Sequence, residues 1–511
     1  MGLFRFLKNN WLLILTIILG WFLLTYRLGS IPSGVYVDEA VANYDAYSIL
    51  NTFKDHFGKN LPVYFKFFGS YTPGLYVYIQ TIFIKIFGLN SYSIRLLSVI
   101  SMLSVAVVIY WFLKKNKLLR LEKMAWLAVL MFLVTPWTVF NARLGYETTF
   151  AFALLAIGAM LYKYPLYCFG LISLSAYAGY TERYLAPLLM VLIYFVFYFK
   201  QKSIKTLKWP IILAALIQIP NVLMLASPAF WVKNSSLTGS FFSQYLSYFS
   251  PYNLFFSRDY DLQRSVPELA VFYWWMFVPW ILGLYTIYIN RKKPIYKYLI
   301  GLLLLAPLPA ALANTNYSTQ RALPLLLPYI LAISIGSDRI MSRLNAWFKG
   351  IILILVIGFS LTMLWRSYFV LFPVERARAW NYGYEQLADF IKNNPEKHYV
   401  VDNYRGIPYI LLLFHLSYSP LEFQRENPQN ISNYYIDATF IKNAKFGNVE
   451  VRQVDLGKDT CKDQVLVGDN LWLSPDQVKA HNLEQVFKVE DGQQQIILQA
   501  YETNPKVDCS L

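Results

Sequence analysis

The sequence predicts an α-helical polytopic membrane protein of about eleven transmembrane helices, followed by a water-exposed C-terminal α/β domain. Three observations predict it. Apolar residues make up 56% of the 511 and charged residues only 15%, whereas an ordinary soluble domain carries about 25% charged residues. The deficit is confined to residues 11–370, and 374–511 has soluble composition. Positive charge also alternates from one short loop to the next.

Apolar runs place spans near 11–28, 93–113, 124–140, 148–162, 165–180, 184–199, 209–226, 270–290, 295–313, 322–336 and 351–371. Arg5 and Lys8 ahead of apolar 11–26 resemble a signal peptide. No small-residue cleavage site follows, so this segment is expected to be the first retained span. With the N-terminus inside, alternate loops become cytoplasmic. They hold Lys114, Lys115, Lys117, Arg120 and Lys123; Lys163; Lys200, Lys202, Lys205 and Lys208; Arg291, Lys292, Lys293 and Lys297; and Arg339, Arg343 and Lys349. The short outer loops carry only Arg143, Arg183 and Arg321. This positive-inside asymmetry predicts a bacterial or archaeal-type plasma (inner) membrane protein with its C-terminal domain outside. The net charge of +16 is thereby topological, and no nucleic-acid partner is expected.

Residues 74–88 are apolar but short and contain Lys85. Counted as a span they would invert every later loop, so an interfacial helix on the outer surface is expected. The first outer loop then runs over 29–92. The domain reading is 1–372 for the membrane part and 373–511 for the outer part. Within the latter, Tyr384–Asn393, Tyr404–Tyr418 and Pro475–Ala480 read as helices, and Lys397–Asp402, Gln464–Gly468 and Gln495–Gln499 as strands. Cys168 lies in a span as a small apolar filler. Cys461 and Cys509 share the outer compartment, where a disulfide is permitted, though the sequence does not show that they meet.

The first outer loop carries the chemistry. Asp38-Glu39 open an expected helix over 39–53. The bland reading is helix capping, because carboxylates favour the positive end of the helix dipole. The functional reading is that an acidic pair beside a membrane is costly unless used. Asp45, Asp55 and His56 follow, then a turn over Phe68–Gly74. Later outer loops contain Asn141-Ala142-Arg143 with Glu147, Tyr180-Thr181-Glu182-Arg183, and Thr319-Gln320-Arg321. Arginine at a span end is commonly a snorkelling anchor. Three arginines on the face otherwise kept free of positive charge point instead to an anion site, since the guanidinium fork suits phosphate.

These stretches resemble the GT-C class of polyprenol-phosphate-sugar-dependent glycosyltransferases. They look like the bacterial branch of glycosyltransferase family 39, relatives of the protein O-mannosyltransferases and the lipid A aminoarabinose transferases. The residues that carry the likeness are Asp38-Glu39-Ala40, Asp55 through Pro62, Phe68 through Tyr76, Asn141-Ala142-Arg143, and Arg183 with Pro187. The resemblance covers roughly 1–370 and implies a GT-C-like bundle. It implies that Asp38 is the catalytic base and that Glu39 positions the acceptor or a water. Arg143 would grip the donor phosphate with Arg183 and Arg321, and Asp55, Tyr71 and Glu147 would support the site. His56 and Glu182 depart from the pattern and receive no role. The implied partners are a polyprenyl-phosphate sugar, a protein, lipid or glycan acceptor, and membrane lipids. No cofactor is required; related transferases differ in needing a divalent metal, but no oxygen-ligand cage is legible here. Two other readings stand beside this one. A surface-glycan ligase or polymerase would use the loop 227–269, with Arg258, Asp259, Asp261 and Arg264. A non-enzymatic transporter of lipid-linked sugar would show repeat halves, and none is found.

Overall fold

A computed structural model describes residues 2–199, 204–231, 241–313 and 317–505. The chain divides into two compact units: 1–28, 72–76 and 95–370 form the first; 29–71, 77–94 and 371–511 form the second. The sequence placed its boundary at 372/373. The structure breaks the chain at nearly the same point, but it also assigns most of the first outer loop to the C-terminal unit.

The first unit is a helical bundle. All eleven apolar segments fall on helices: Gly2–Thr25, Ser91–Lys115, Ala125–Val134 with Pro136–Ala142, Glu147–Met160, Pro165–Ala178, Tyr180–Ile193, Ile204–Ile217 with Ile219–Met224, Phe277–Ile289, Pro294–Leu305, Leu326–Met341 and Ala346–Leu364. Among the described residues, five helical runs are long and apolar enough to cross a membrane alone, and six if the bent pair over 122–142 counts as one span. The remaining apolar helices are shorter, so the expected eleven are helices rather than eleven full-length spans. The bend of 61° sits at Thr135-Pro136. Proline lacks the N–H that would continue the helix, and the Thr135 hydroxyl caps the new start by accepting from Thr138 N. Apolar side chains on the outside of the bundle, such as Ile354 at 73% and Leu223 at 70% exposure, are stable there only against lipid. The chain is an integral membrane protein.

Two glycines set how closely the bundle packs. Helices Phe277–Ile289 and Leu326–Met341 cross where Gly283 and Gly336 face each other's backbones. A Cβ on Gly283 would lie 1.8 Å from Ala332 O, and one on Gly336 1.7 Å from Pro279 O. Leu326–Met341 is consequently buried over nearly its whole length.

In the second unit the first outer loop builds helix Val37–Thr52 and the short strands β1 (Tyr64–Phe67) and β2 (Ser70–Pro73), and helix Leu75–Phe87 follows β2. The C-terminal part adds β3 (Tyr399–Val401), β4 (Ala444–Phe446), β5 (Val449–Val451), β6 (Val465–Asp469), β7 (Glu484–Glu490) and β8 (Ile496–Glu502). Their order in the sheet is β4-β5-β3-β6-β8-β7. Central β3 is parallel to β5 and β6, and the outer pairs are antiparallel. Helix Pro408–Leu416 is buried from Pro408 to Phe414; it packs against helix Tyr384–Asn393 on one side and helix Val37–Thr52 on the other. The outer loop is thus a layer of this unit. Gly34 is required at the join, because a Cβ there would lie 2.0 Å from Trp380 O. Expected helices Tyr384–Asn393 and Pro475–Ala480 and the three expected strands are present, with β4, β5, β7 and helix Pro420–Glu426 in addition. Helix Tyr404–Tyr418 shortens to Pro408–Leu416. Cys168 is buried and free; the pairing of Cys461 turns on Cys509, which lies outside the described residues.

Gly283→Ala should lower the thermal midpoint of the purified protein, at a cost of about 1–3 kcal/mol for overpacking. An unchanged midpoint in a differential scanning measurement would show that the two helices have room to separate.

Candidate functional site

Asp38 and Glu39 occupy the first turn of helix Val37–Thr52. The structure divides the two readings of the pair between them. Glu39 is fully buried, and its Oε2 accepts the Tyr36 N–H at 3.0 Å. It therefore caps the helix, satisfying one of the donors that a helix start leaves over. Asp38, on the adjacent position, keeps part of its surface exposed. Of the two carboxylates, Asp38 is the one with exposed surface.

Behind this turn lies a buried polar cluster. Helix Val37–Thr52 ends at Phe53, which adopts left-handed backbone and reverses the chain. His56 is folded back onto the helix: its backbone N–H and its Nδ1 meet Asp45 Oδ1 at 2.8 and 2.7 Å. Its Nε2 lies 3.4 Å from the Tyr409 hydroxyl. Asp55 accepts from Lys59 N at 2.7 Å and from the Tyr434 hydroxyl at 2.5 Å. Tyr434 in turn accepts from Lys66 N. Tyr71 donates to the carbonyls of Tyr434 and Asp437 at 2.5 and 2.7 Å. All of these residues belong to the second unit. Asp55 and Tyr71, expected as supporting residues, thus fasten the outer loop to the C-terminal part. His56, which received no role from the sequence, closes the loop after the helix that carries Asp38. Burial and the neighbouring Asp45 carboxylate push Asp55 up to about 7, against the opposing pull of His56, Tyr434 and Lys59 N. Burial pulls the His56 imidazole down, but Asp45 and Asp55 outweigh it and hold it above its ordinary value.

The arginines lie in the first unit. Arg143 follows helix Pro136–Ala142. Its guanidinium is fully buried, donating to the carbonyls of Leu23 and Leu24 at 3.0 Å each and of Tyr26 at 2.8 Å, against the rings of Tyr368 and Phe369. It neutralises the negative end of the first helix, while Arg95 donates to Leu28 O at 3.0 Å in the turn that follows. With no exposed surface, the Arg143 guanidinium is engaged by three carbonyls at the end of the first helix. Arg183 opens helix Tyr180–Ile193, donates to Phe230 O at 3.0 Å and lies 4.1 Å over the Phe230 ring. Arg183 and Arg321 are both within electrostatic reach of Tyr180. Arg321 is also within reach of Arg264 and Tyr248. Arg264 is held by Asp261 at 3.0 Å and by the Ser318 hydroxyl at 2.8 Å. Asp259 anchors the same spot by accepting from Thr319 N and Oγ1. Sequence reasoning named Arg264 only for the ligase reading of loop 227–269; four charges within the seven residues 258–264 were the signal. Glu147 opens helix Glu147–Met160, partly buried, and is within electrostatic reach of Glu182. Among the described residues no group of three or more His, Cys, Asp or Glu side chains is placed to hold a metal ion.

No protein-family model matches the sequence, and no curated protein matches it. Solved structures do match the fold. ArnT from Cupriavidus metallidurans bound to undecaprenyl phosphate is 12% identical, with a TM-score of 0.56 over 96% of this chain and 98% of that one. The same protein in the apo state gives 0.57 at the same identity and coverage. An archaeal oligosaccharyltransferase from Archaeoglobus fulgidus, in complex with an inhibitory peptide and a dolichol-phosphate, gives 0.48 at 9% identity, covering 99% of this chain and 75% of that one. The fold is that of the GT-C glycosyltransferases.

Both shifted groups of the buried cluster bind protons more tightly folded than unfolded, so their stability contribution is present at low pH and is lost as pH rises through their folded values. For Asp55 the loss runs from the ordinary carboxylate range up to about 7, and for His56 it continues above the ordinary imidazole value. Hydrogen exchange of residues 37–61 should therefore accelerate as pH is raised through this window, after correction for intrinsic exchange. His56→Gln should flatten the upper part of that dependence. Equal slopes for the two proteins would remove His56 from the clamp.

Proposed function

We propose that this chain is a membrane glycosyltransferase that moves a sugar from a polyprenyl-phosphate donor to an acceptor on the extracytoplasmic face. What carries the reading is the GT-C fold over 96% of the chain, shared with a protein solved with undecaprenyl phosphate. The residues agree with it in kind. Asp38 acts as general base: its carboxylate takes the proton of an acceptor hydroxyl or amine as that group attacks the anomeric carbon. The bond from the anomeric carbon to the phosphate oxygen breaks, and its electron pair leaves with the lipid phosphate. A single displacement of this kind inverts the anomeric centre. Arg183, Arg264 and Arg321 stabilise the charge that develops on the leaving phosphate; fixed cations in a water-poor site are effective because they need no reorganisation. Glu39 fixes the helix turn beneath Asp38. No cofactor enters this scheme. The N-terminus is on the cytoplasmic side and the C-terminal unit outside, as the loop charges indicate.

One observation favours a second reading. Arg264 and Asp259, which belong to the loop that a surface-glycan ligase or polymerase would use, lie beside Ser318 and Thr319 in the arginine group. A diphosphate-linked glycan would call on the same cations.

Radiolabelled polyprenyl-phosphate sugars, offered to the purified protein with a native acceptor extract, distinguish these readings. Asp38→Asn should lower transfer about 10²-fold or more, the usual worth of a positioned base, while leaving donor binding intact. Near-wild-type turnover in that variant would refute the base. Arg321→Gln should weaken donor binding about tenfold or more, as expected for a charge-assisted contact, with acceptor KM unchanged. Turnover of diphosphate-linked glycans alone would favour the ligase.

A further inference from the structure

A second basic site lies at the other end of the same helices. Arg183 and Tyr198 bracket the apolar run Tyr180–Tyr198, about 22 Å apart at the helical rise. At the Tyr198 end is a cavity of ≈ 560 Å³ whose lining includes Lys115, Lys117, Lys163, Tyr162, Phe197 and Tyr198. Among the described residues no carboxylate lines it, and the stretches 110–117, 161–165 and 290–297 that contribute to it contain no Asp or Glu. The three ammonium groups come from separate places in the fold. Lys115 ends helix Ser91–Lys115, Lys117 sits in the left-handed turn after it, and Lys163 lies between helices Glu147–Met160 and Pro165–Ala178. Pro294 and Ile295, the first residues of the twelve-residue helix Pro294–Leu305, complete the wall. The positive end of that helix dipole adds to the lysine field.

The floor is rigid. Tyr162 stacks on Phe197 with centroids 3.9 Å apart, its hydroxyl donates to Asn116 Oδ1 at 2.6 Å, and the Tyr198 hydroxyl donates to the Tyr162 carbonyl. Next to the lining residues in sequence, Trp111, Tyr164, Tyr167 and Phe199 are each about half exposed or more. Aromatic side chains in this arrangement mark the level of lipid headgroups. Lysines gathered at that level beside an aromatic floor match a phosphate that arrives on an acyl chain, because the stem packs on the rings and the ammonium reaches the headgroup.

We infer that this cavity binds the phosphate headgroup of an anionic membrane lipid, at a place separate from the arginine group. Like charges converging on one cavity repel one another at the low dielectric of a membrane boundary, and an anionic headgroup relieves that repulsion. The lipid would fasten the ends of three helix connections without taking part in sugar transfer.

The test uses full-length protein in detergent, with dioleoyl phosphatidylglycerol and dioleoyl phosphatidylcholine as the probes and native mass spectrometry as the readout. The wild type should retain phosphatidylglycerol about tenfold or more in preference to phosphatidylcholine, because each basic residue near anionic lipid adds to the attraction. The variant Lys115→Gln/Lys117→Gln/Lys163→Gln should lose that preference. The matched variant Lys208→Gln/Lys292→Gln/Lys349→Gln, which leaves the cavity lining intact, should keep it. Equal loss in both variants would reduce the effect to overall charge and overturn the site, as would a wild type without preference. Displacement of phosphatidylglycerol by an equal concentration of glycerol phosphate would show that the acyl chains contribute nothing, and the lipid assignment would fall. Should the triple variant not fold, Lys163→Gln carries the same comparison, and a preference identical to wild type overturns the site.

Discussion

Charge held away from water must find its partners locally, and this requirement shapes both units of the chain. A buried ion without such partners costs several kcal/mol. In the membrane unit the demand is met at the end of the first helix and in the turn that follows, where Arg143 and Arg95 serve carbonyls that have no intrahelical partner. In the outer unit it is met by Asp45 with His56 and by Asp55 with Tyr434. Two of these contacts close long stretches of sequence: 119 residues separate Leu24 from Arg143, and 379 separate Asp55 from Tyr434.

The same requirement sorts carboxylates and cations into structural and chemical roles. Glu39 is buried and serves its helix; Asp38 next to it keeps exposed surface. Arg143 is buried and serves a helix end, while Arg264 is 20% exposed and Arg321 is partly so. Asp261 and Ser318 hold the Arg264 guanidinium in place while leaving part of it at the surface.

The outer loop also shows why a helix can carry chemistry outside a bundle. Helix Val37–Thr52 has almost no amphipathic pattern in sequence, yet ten of its residues are buried. It is enclosed by helices Pro408–Leu416 and Pro420–Glu426 within its own unit. Tyr44 donates to Tyr418 O, and Gln424 reaches Ser48, Thr52 and Asp55 O. A layer built in this way holds the Asp38 turn by its whole length.

Much of this was legible from the residues alone. Hydropathy is a local property, so the eleven apolar segments were found where helices stand, and loop charge gave them a sidedness. Composition separated the soluble part near residue 372. The Asp38-Glu39 turn was readable as residue types at the start of a helix. Contacts between distant stretches were not. Nothing near Arg143 in sequence announces the carbonyls of Leu23, Leu24 and Tyr26, and nothing near His56 announces Tyr409. The three-residue strands β4 and β5 are too short to carry a period. The first outer loop joined the C-terminal unit because its polar groups find their partners there, and such partners are chosen by packing across hundreds of residues. Local pattern dictates which segments become helices; which charge is buried and which stays available for chemistry depends on what the folded chain brings beside it.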